Sequence, residues 1–440
     1  MAKLNRDTKL LLEVINTLEK EKINYCISHF DEPFPEMITS DVDVIIDPKE
    51  LLRLVRILYE NGLIQWFQHA SEAHLFSLAK ECSGEFIPFL QFDTYLDFRQ
   101  FGHLVLQSSD FLDHKRRVND LFWAPPIEVE FLYCLIKRLG KEKLQWDHIS
   151  HLQKLFIQAP ENCYASLREF FPLSVAERLR VASETGEWSN IDLHELKIQF
   201  MEKVSFRYFW DYVNNRLLEV VRRIIRIFYP TGLWVVFLGP DGCGKSAVLQ
   251  QVINDLCLGF RRKKSFHFRP GILWKSKNLS NEVICNPHKQ NMRGRTVSVI
   301  KTVACYLDWL VGYLFDIYPS LVQSTLVVVD RYFIDLAVDP VRYRSSCPSW
   351  FVRLLTKILP KPDLTFYLNV SPEVAISRKQ ELSFEELEFL QQAYIAAYQS
   401  DDRKAYLIDA NQDFDRVVEN VEQHIIAYLK KRTSGRISNC

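Results

Sequence analysis

The sequence predicts two folded parts, of which the second is an α/β domain with a parallel sheet and helices on both faces. Two observations indicate that domain. An apolar run at 233–238 leads into a glycine-rich loop and a helix-forming segment, and strand-like and helix-like stretches then alternate. Such alternation is typical of βαβ units. A third observation indicates the first part, because acids alternate with aliphatic residues at 41–47, which predicts a strand of an α+β domain.

Composition restricts the class of protein. The chain has 440 residues, of which 48% are hydrophobic and 25% charged, as is ordinary for globular domains, and its formal net charge is zero. No nucleic acid partner is therefore expected. Ten scattered cysteines without a C-x-x-C pair, and no signal-peptide pattern at Met1–Lys20, predict free thiols in the cytoplasm. The most apolar region, Val297–Val329, contains Lys301, Asp308 and Asp316, which predicts a buried helix and strand rather than a transmembrane segment.

A basic amphipathic stretch, Arg216–Phe228, separates the two parts and is broken at Pro230–Gly232. The favoured interpretation is a helix packed between the domains with its arginines in water, and the alternative is a helix that lies on a membrane surface. The predicted organisation is an α+β domain at 1–126, a helical extension at 127–215, a linker helix at 216–232, the α/β domain at 233–432 and a flexible tail at 433–440.

The first domain carries three candidate metal ligands. On a strand, alternate side chains share a face, so Asp41 and Asp43 can bind one divalent ion together. A later strand, 86–97, offers Asp93 as a third carboxylate. These residues resemble the nucleotidyltransferase (polymerase-β-like) fold, whose Asp-x-Asp pair and third acid bind Mg²⁺. The Gly-Ser turn of that family has no counterpart at 35–40, which argues against nucleotidyl transfer and leaves solvated acids on an edge strand as the alternative.

The glycine-rich loop fits the pattern G-x-x-x-x-G-K-[ST] between a strand and a helix. In this setting backbone N–H groups and the positive end of the helix dipole bind phosphate. Lys245 is expected to reach the β- and γ-phosphates and the Ser246 hydroxyl to bind Mg²⁺. The predicted nucleotide site consists of Gly239, Pro240, Asp241, Gly242, Cys243, Gly244, Lys245, Ser246 and Ala247.

Charged residues follow the predicted strands of the second domain. Asp330 and Arg331 follow the strand 325–329, and Arg269 follows the strand 265–268. Functional side chains of parallel sheets gather at these carboxyl ends. Asp330 is expected to orient Mg²⁺ or its water shell, and Arg331 to contact a phosphoryl group. The alternative is a capping acid beside a solvated arginine.

Over about residues 234–429 these motifs resemble thymidylate kinases and the wider nucleoside-monophosphate kinases. Similar features are the acid Asp241 in the loop, Arg269-Pro-Gly in place of an Arg-Glu-Pro-Gly turn, Asp330-Arg331-Tyr332, the lid cations Arg378 and Lys379, and Asp409-Ala-Asn411. The resemblance implies a P-loop kinase-like fold with ATP and Mg²⁺ as cofactors. It also implies that Asp241, Arg269 and Arg331 bind the acceptor, that Asn411 borders the adenine, and that Arg378 closes over the transition state.

The leading hypothesis is a phosphotransferase in which Lys245, Asp330, Arg331 and Arg378 are catalytic. Its partners are ATP and a small-molecule acceptor: dTMP or a related phosphorylated or sugar-type compound. The pairing of the two domains resembles that of bacterial thymidylate-kinase-like proteins associated with surface polysaccharide synthesis, which implies a context but not an acceptor. Additional arginines at 293, 295, 342 and 344 indicate either a second anionic group on the acceptor or surface ion pairs. The alternatives are an ATP-binding regulatory or assembly protein and a two-activity kinase and nucleotidyltransferase. A homodimer is left open.

Overall fold

The computed structural model describes residues 6–28, 34, 42–79, 89–207, 209–256, 259–273, 291–379, 382–401 and 404–438. The chain divides into two compact units. Unit 1 comprises Met1–Ile225 and Leu429–Cys440, and unit 2 comprises Arg226–Tyr428. The mixed α/β architecture agrees with the predicted fold class.

Unit 1 contains a five-stranded sheet with two helices whose apolar faces are buried. The strands are β1 (Tyr25–Ile27), β2 (Val42–Ile46), β3 (Leu63–Gln68), β4 (Ala73–Ala79) and β5 (Phe89–Tyr95), in the order β1-β2-β5-β4-β3. Strands β2 and β5 are parallel and the other pairs antiparallel. Helix α1 (Arg6–Lys20) and helix α2 (Leu51–Glu60), which follows a 3₁₀ turn at Pro48–Glu50, bury residues spaced three and four apart.

The rest of unit 1 is mainly helical, in the range where the sequence predicts a helical extension. Two hairpins precede all of its helices except a short one at Ser108–Leu112. They consist of β6 (Asp97–Gln100) with β7 (His103–Gln107) and of β8 (Arg116–Val118) with β9 (Phe122–Ala124). The helices are α3 (Ser108–Leu112), α4 (Ile127–Lys141), α5 (Trp146–Gln158), α6 (Pro160–Phe170), α7 (Leu173–Thr185), α8 (Leu193–Arg207) and α9 (Phe209–Phe228), whose last turn from Arg226 belongs to unit 2. Their core is formed by buried aromatic and aliphatic side chains such as Phe131, Leu135, Phe156, Leu167 and Leu179.

Helix α9 differs from the predicted linker helix with arginines in water. Arg222 pairs with Glu219 at 2.7 Å and its side chain is mostly buried. Arg226 donates to the Thr231 hydroxyl at 2.8 Å. These arginines are held by polar partners of the protein, so the expectation that the arginines of this helix lie in water is wrong for both.

Unit 2 contains the predicted parallel sheet. Its strands are β10 (Leu233–Leu238), β11 (Arg262–His267), β12 (Thr325–Asp330), β13 (Leu364–Asn369) and β14 (Ala405–Asp409), all parallel, in the order β11-β12-β10-β13-β14. The first strand, β10, lies at the centre and is buried throughout, which explains its unbroken apolar run. The chain leaves β10 for one side of the sheet and later crosses to the other, and ligands bind at such a point.

Helices flank this sheet. They are α10 (Lys245–Leu256), α11 (Arg295–Gly312), α12 (Tyr318–Val322) after a π-helical turn at Tyr313–Ile317, α13 (Asp335–Val338), α14 (Ser349–Ile358), α15 (Pro372–Arg378), α16 (Phe384–Gln399) and α17 (Phe414–Ile437). The aromatic rings of Trp234, Trp309 and Tyr332 pack together in the core, with 4.8 Å between the ring centroids of Trp309 and Tyr332. Among the described helices, one stretch, Arg295–Val322, is long and apolar enough to cross a membrane, a test that core helices of soluble proteins also pass.

The C-terminal residues differ from the predicted flexible tail. Helix α17 continues to Ile437, well into the range 433–440. Thr433 is buried and its hydroxyl donates to the Ile64 carbonyl of unit 1 at 2.9 Å. A buried side chain with a hydrogen bond fixes this end of the chain as part of unit 1.

Candidate active site

The loop between β10 and α10 requires glycine at two positions where its backbone passes close to the backbone of neighbouring segments. Gly239 and Gly242 have φ angles of +152° and +82°. A Cβ atom at Gly239 would lie 2.7 Å from the Leu368 carbonyl oxygen, and one at Gly242 would lie 2.8 Å from that of Ala375. Both distances are too short for a side chain, so these glycines let the loop pass close to the backbone of neighbouring segments.

Lys245 is the first residue of α10 and points its ammonium back into the loop. The side chain is almost fully buried. Its Nζ donates to the carbonyl oxygens of Gly239 and Pro240, both at 2.7 Å, and lies 3.5 Å from Cys243 Sγ. The loop therefore encloses a positive charge beside the N-terminus of a helix, an arrangement that attracts the phosphates of a nucleotide.

Asp330 and Ser246 form a site that fits Mg²⁺. The pairing of β10 with β12 brings the end of β12 next to the loop, and Ser246 Oγ lies 3.5 Å from Asp330 Oδ2. Asp330 Oδ1 is buried and has no hydrogen-bond partner among the residues that the structure describes. An unpaired buried carboxylate oxygen is costly unless a cation binds it. No group of three His, Cys, Asp or Glu side chains in the described ranges could hold a metal, but Mg²⁺ normally needs one or two carboxylates plus phosphate oxygens and water.

Arg331 is buried, not solvent-exposed as a phosphoryl ligand would be. It is 1% exposed and has a left-handed backbone, with φ at +78°. Its guanidinium donates to Asp241 Oδ1 at 2.7 Å, to Asp335 Oδ2 at 3.2 Å and to the Tyr394 hydroxyl at 3.2 Å. Neither Asp335 nor Tyr394 was predicted as a partner: Tyr394 lies 63 residues away, and Asp335, one helical turn after Arg331, belongs to no motif. The contacts show that Arg331 fixes the position of the loop residue Asp241.

Asp241 is held by two arginines. Besides Arg331 it binds Arg342, which sequence analysis identified only as an additional arginine. Burial by itself would raise the pKa of Asp241, but the charges of Arg331, Lys245 and Arg342 outweigh it and hold the pKa well below its ordinary value. Burial raises the pKa of Asp335 to about 6, against the opposing charge of Arg331. Asp241 is therefore ionised at neutral pH and orders the loop from one side.

A cavity of about 470 Å³ opens beyond the end of β11. Its wall includes the stacked rings of Phe268 and Tyr343, whose centroids are 4.5 Å apart. Arg269, predicted to bind the acceptor, lines this cavity, and its Nη1 lies 3.6 Å from Asp308 Oδ2. Three more cations line it: Arg293, Lys301 and Arg344. An aromatic wall with several cations suits a flat ring that carries an anionic group.

Asp308, which sequence analysis did not assign to the site, supports the turn after Arg269. It is fully buried on α11 and accepts hydrogen bonds from the backbone N–H groups of Gly271 at 2.9 Å and Leu273 at 2.8 Å. An acid within an apolar helix is the signal that could have identified it, because a buried carboxylate requires partners.

Two further predicted residues border the loop from the other side. Arg378 is the last residue of α15, donates to the Ala410 carbonyl at 3.0 Å and lies 4.0 Å from the position of a Cβ on Gly244. Asn411 accepts a hydrogen bond from the Ser371 N–H at 2.8 Å and donates to Asp409 Oδ1 at 2.7 Å. Both predicted residues are thus at the loop side of unit 2, where a nucleotide would lie.

The candidate metal ligands of unit 1 have protein partners. Asp43 and Asp93 face each other in the register of β2 and β5, and both are buried. Lys137 and the Tyr133 hydroxyl, the latter at 3.1 Å, donate to Asp43 Oδ2. Asp93 binds His69 Nε2 at 2.5 Å and accepts from the Tyr95 hydroxyl at 2.8 Å. Asp41 lies outside the described residues, so the predicted trio of ligands is not assembled in the part of unit 1 that the structure describes.

Comparisons with known proteins agree with the site of unit 2. The family model for thymidylate kinase matches residues 312–421. The chain is 30% identical over 209 residues to the thymidylate kinase of Enterococcus faecalis, covering 44% of this chain and 96% of that one. It is 27% identical over 208 residues to the thymidylate kinase of Limosilactobacillus reuteri (44% and 95%) and 26% identical over 214 residues to a probable thymidylate kinase of Staphylothermus marinus (45% and 96%). Through its C-terminal half, the chain belongs to the thymidylate kinase family and is a P-loop kinase.

Proposed function

We propose that this kinase transfers the γ-phosphoryl group of Mg²⁺-bound ATP to dTMP, and that unit 2 carries the reaction. The observation that carries the proposal is the unpaired buried Oδ1 of Asp330 beside Ser246, at the mouth of a glycine loop that encloses Lys245. These three residues are the set that binds the phosphates and the metal of a nucleotide.

The loop residues have separate tasks in this proposal. Lys245 exchanges its two carbonyl contacts for the β- and γ-phosphate oxygens and neutralises the charge that develops on them. Ser246 and Asp330 hold the metal, and bound Mg²⁺ supplies further charge neutralisation. Asp241 and Arg331 keep the loop in one conformation through their ion pair. Catalysis then consists of positioning and electrostatics, as is general for phosphoryl transfer.

The acceptor lies in the cavity beyond β11. The base of dTMP packs along Phe268 and Tyr343, and Arg269 binds its phosphate. Asp308 keeps the backbone turn after Arg269 in place, so the guanidinium has a defined position. Arg378, next to Gly244, is the cation that contacts the transferring group. The cytoplasm, where ATP is abundant and the described cysteines remain free thiols, is the proposed compartment.

The test is incubation of the full chain with ATP labelled at the γ-phosphate and a panel of acceptors. The panel contains dTMP, other nucleoside monophosphates, nucleosides, sugars and sugar phosphates, each with and without MgCl₂. The expected result is label in dTDP that requires Mg²⁺. Label in a sugar product but in no nucleotide would refute dTMP as acceptor and keep the kinase, whereas ATP binding without any labelled product would refute phosphoryl transfer.

A further inference from the structure

One stripe of polar residues on helix α9 faces the protein, whereas most of its apolar residues face solvent. Asn215 is buried, where it donates to the Gly102 carbonyl at 3.2 Å and binds the Ser71 hydroxyl. Glu219 accepts from the Ser71 backbone N–H at 2.6 Å and pairs with Arg222. These residues are spaced three and four apart, so they form the single stripe of the helix that packs against unit 1.

The opposite side is apolar and exposed, although surface helices usually bury such a side. At 100° per residue its side chains occupy about half of the helix circumference. Leu217 is 62% exposed and Phe228 73% exposed. We call this surface the apolar face of α9; it comprises Leu217, Leu218, Val220, Val221, Ile224, Ile225, Ile227 and Phe228, all exposed.

Aromatic and basic residues border the apolar face. Trp210 is exposed near the start of the helix and Tyr229 directly after its end. Arg216 and Arg223 lie along one edge and are both exposed, with the Arg216 guanidinium 4.8 Å from the ring centre of Tyr212. Of the two acids of α9, Asp211 pairs with Arg99, and Glu219 pairs with Arg222 of the same helix. The Nε of Arg223 also lies 3.9 Å from Glu219, but the Arg223 side chain remains 69% exposed. The charge that α9 presents beside its apolar face is therefore positive.

We propose that the apolar face of α9 is a docking surface for an anionic lipid membrane. Aliphatic side chains would enter the acyl boundary, the terminal aromatic residues would lie at the headgroup level, and Arg216 and Arg223 would bind lipid phosphates. The 20 residues of α9 include six charged ones, so the helix lies along the membrane plane and does not cross it. Its length of about 30 Å matches a surface helix of more than five turns.

A membrane accounts for this face better than a second copy of the chain does. A self-complementary interface would bring Arg216 and Arg223 near their own copies or require acids to meet them, and both acids of α9 are already paired. A lipid surface supplies phosphates for the arginines and hydrocarbon for the apolar side chains at the same time.

The test is flotation of the full chain with vesicles of phosphatidylcholine alone or mixed with phosphatidylglycerol, without nucleotide, so that the outcome does not depend on kinase activity. The wild type should bind the mixed vesicles. Leu217→Glu should lower the bound fraction about tenfold, since one exposed Leu loses its burial in lipid. Arg223→Gln should lower binding to the anionic vesicles about fivefold and hardly affect binding to neutral ones.

The matched control is Leu173→Glu on α7, because Leu173 is 63% exposed and lies outside α9. It should bind vesicles as the wild type does, and all variants should keep the wild-type circular dichroism and melting temperature. Equal binding by Leu217→Glu and the wild type would overturn the proposal, as would no vesicle binding at all. A third result would also overturn it: the wild type forms a concentration-dependent dimer that does not bind vesicles, and Leu217→Glu dissociates this dimer. The apolar face of α9 would then be an interface with a second copy of the chain.

Discussion

Both units carry an aspartate on a strand that pairs with a parallel neighbour, Asp43 in unit 1 and Asp330 in unit 2, yet the units differ in what the protein does with the carboxylate oxygens. In unit 1, Asp43 and Asp93 lie opposite each other, and Lys137, Tyr133, His69 and Tyr95 bind them. In unit 2, one oxygen of Asp330 has no hydrogen-bond partner among the described residues, and the other is near Ser246. Side chains of the protein thus bind the carboxylates of Asp43 and Asp93, whereas Asp330 keeps one carboxylate oxygen available for a cation.

The position of an acid on a strand therefore does not by itself indicate a metal site. Burial alone would lower the pKa of Lys137, but Tyr133 and Asp43 raise it well above its ordinary value. Lys137 therefore stays protonated and occupies the place that a cation would take beside Asp43. We infer that Asp43 and Asp93 of unit 1 stabilise the fold, and that Asp330 of unit 2 serves the kinase reaction.

The kinase site of unit 2 should be the more sensitive of the two to substitution, and Lys245 is its most exacting test. Lys245→Ala should lower turnover about a thousandfold or more, because it removes the only charge enclosed by the loop carbonyls of Gly239 and Pro240 in the described structure. The measurement is labelled dTDP formation at saturating ATP. Lys357→Ala, which changes an exposed lysine of α14, is the control and should keep wild-type activity. Turnover near the wild-type value in Lys245→Ala would refute the site.

The second prediction concerns the stability of unit 1 and the ion pair between Lys137 and Asp43. Lys137→Met should lower the free energy of unfolding of unit 1 by about 3–5 kcal/mol, because it leaves Asp43 buried without its cation. Amide hydrogen exchange in α4 measures this unit separately. The double variant Lys137→Met/Asp43→Asn should recover much of the loss, and both variants should keep kinase activity. A Lys137→Met chain as stable as the wild type would contradict the structural role.

A smaller, pH-dependent effect concerns Asp335, the buried partner of Arg331. The folded-state pKa of about 6 exceeds the ordinary value of 3.8, so the folded chain binds more protons than the unfolded chain between these values. The contribution of Asp335 to stability is therefore full below about pH 4 and falls as the pH rises through 6. Relative to Asp335→Asn, the wild type should lose about 2 kcal/mol of unfolding free energy between pH 4 and pH 7. Urea unfolding at the two pH values measures it, and a constant difference would contradict the raised pKa.

The parts of the molecule that sequence predicted are those fixed by local patterns. The apolar run of β10, the glycine loop and the start of α10 follow each other in a single motif, and Asp330 follows a second apolar run. The parallel sheet follows from the alternation of such runs with helices. These features need no knowledge of distant contacts.

The parts that sequence did not predict depend on distant contacts. Arg331 was expected to meet a phosphoryl group, but Tyr394, 63 residues away, and Asp241, 90 residues away, bury it. The amphipathic pattern of α9 indicates an apolar and a polar side but not which of them faces the protein. That choice follows from Ser71, which is 144 residues from Asn215 and 148 from Glu219.

The most direct test of the comparison is one pair of isosteric substitutions in one assay. Asp330→Asn and Asp43→Asn each replace a carboxylate by an amide of the same shape, and both are measured as Mg²⁺-dependent transfer of labelled phosphate from ATP to dTMP. We expect Asp330→Asn to lower turnover about a hundredfold and Asp43→Asn to leave turnover per folded molecule unchanged. Full activity in Asp330→Asn, or an equal loss in both variants, would contradict it.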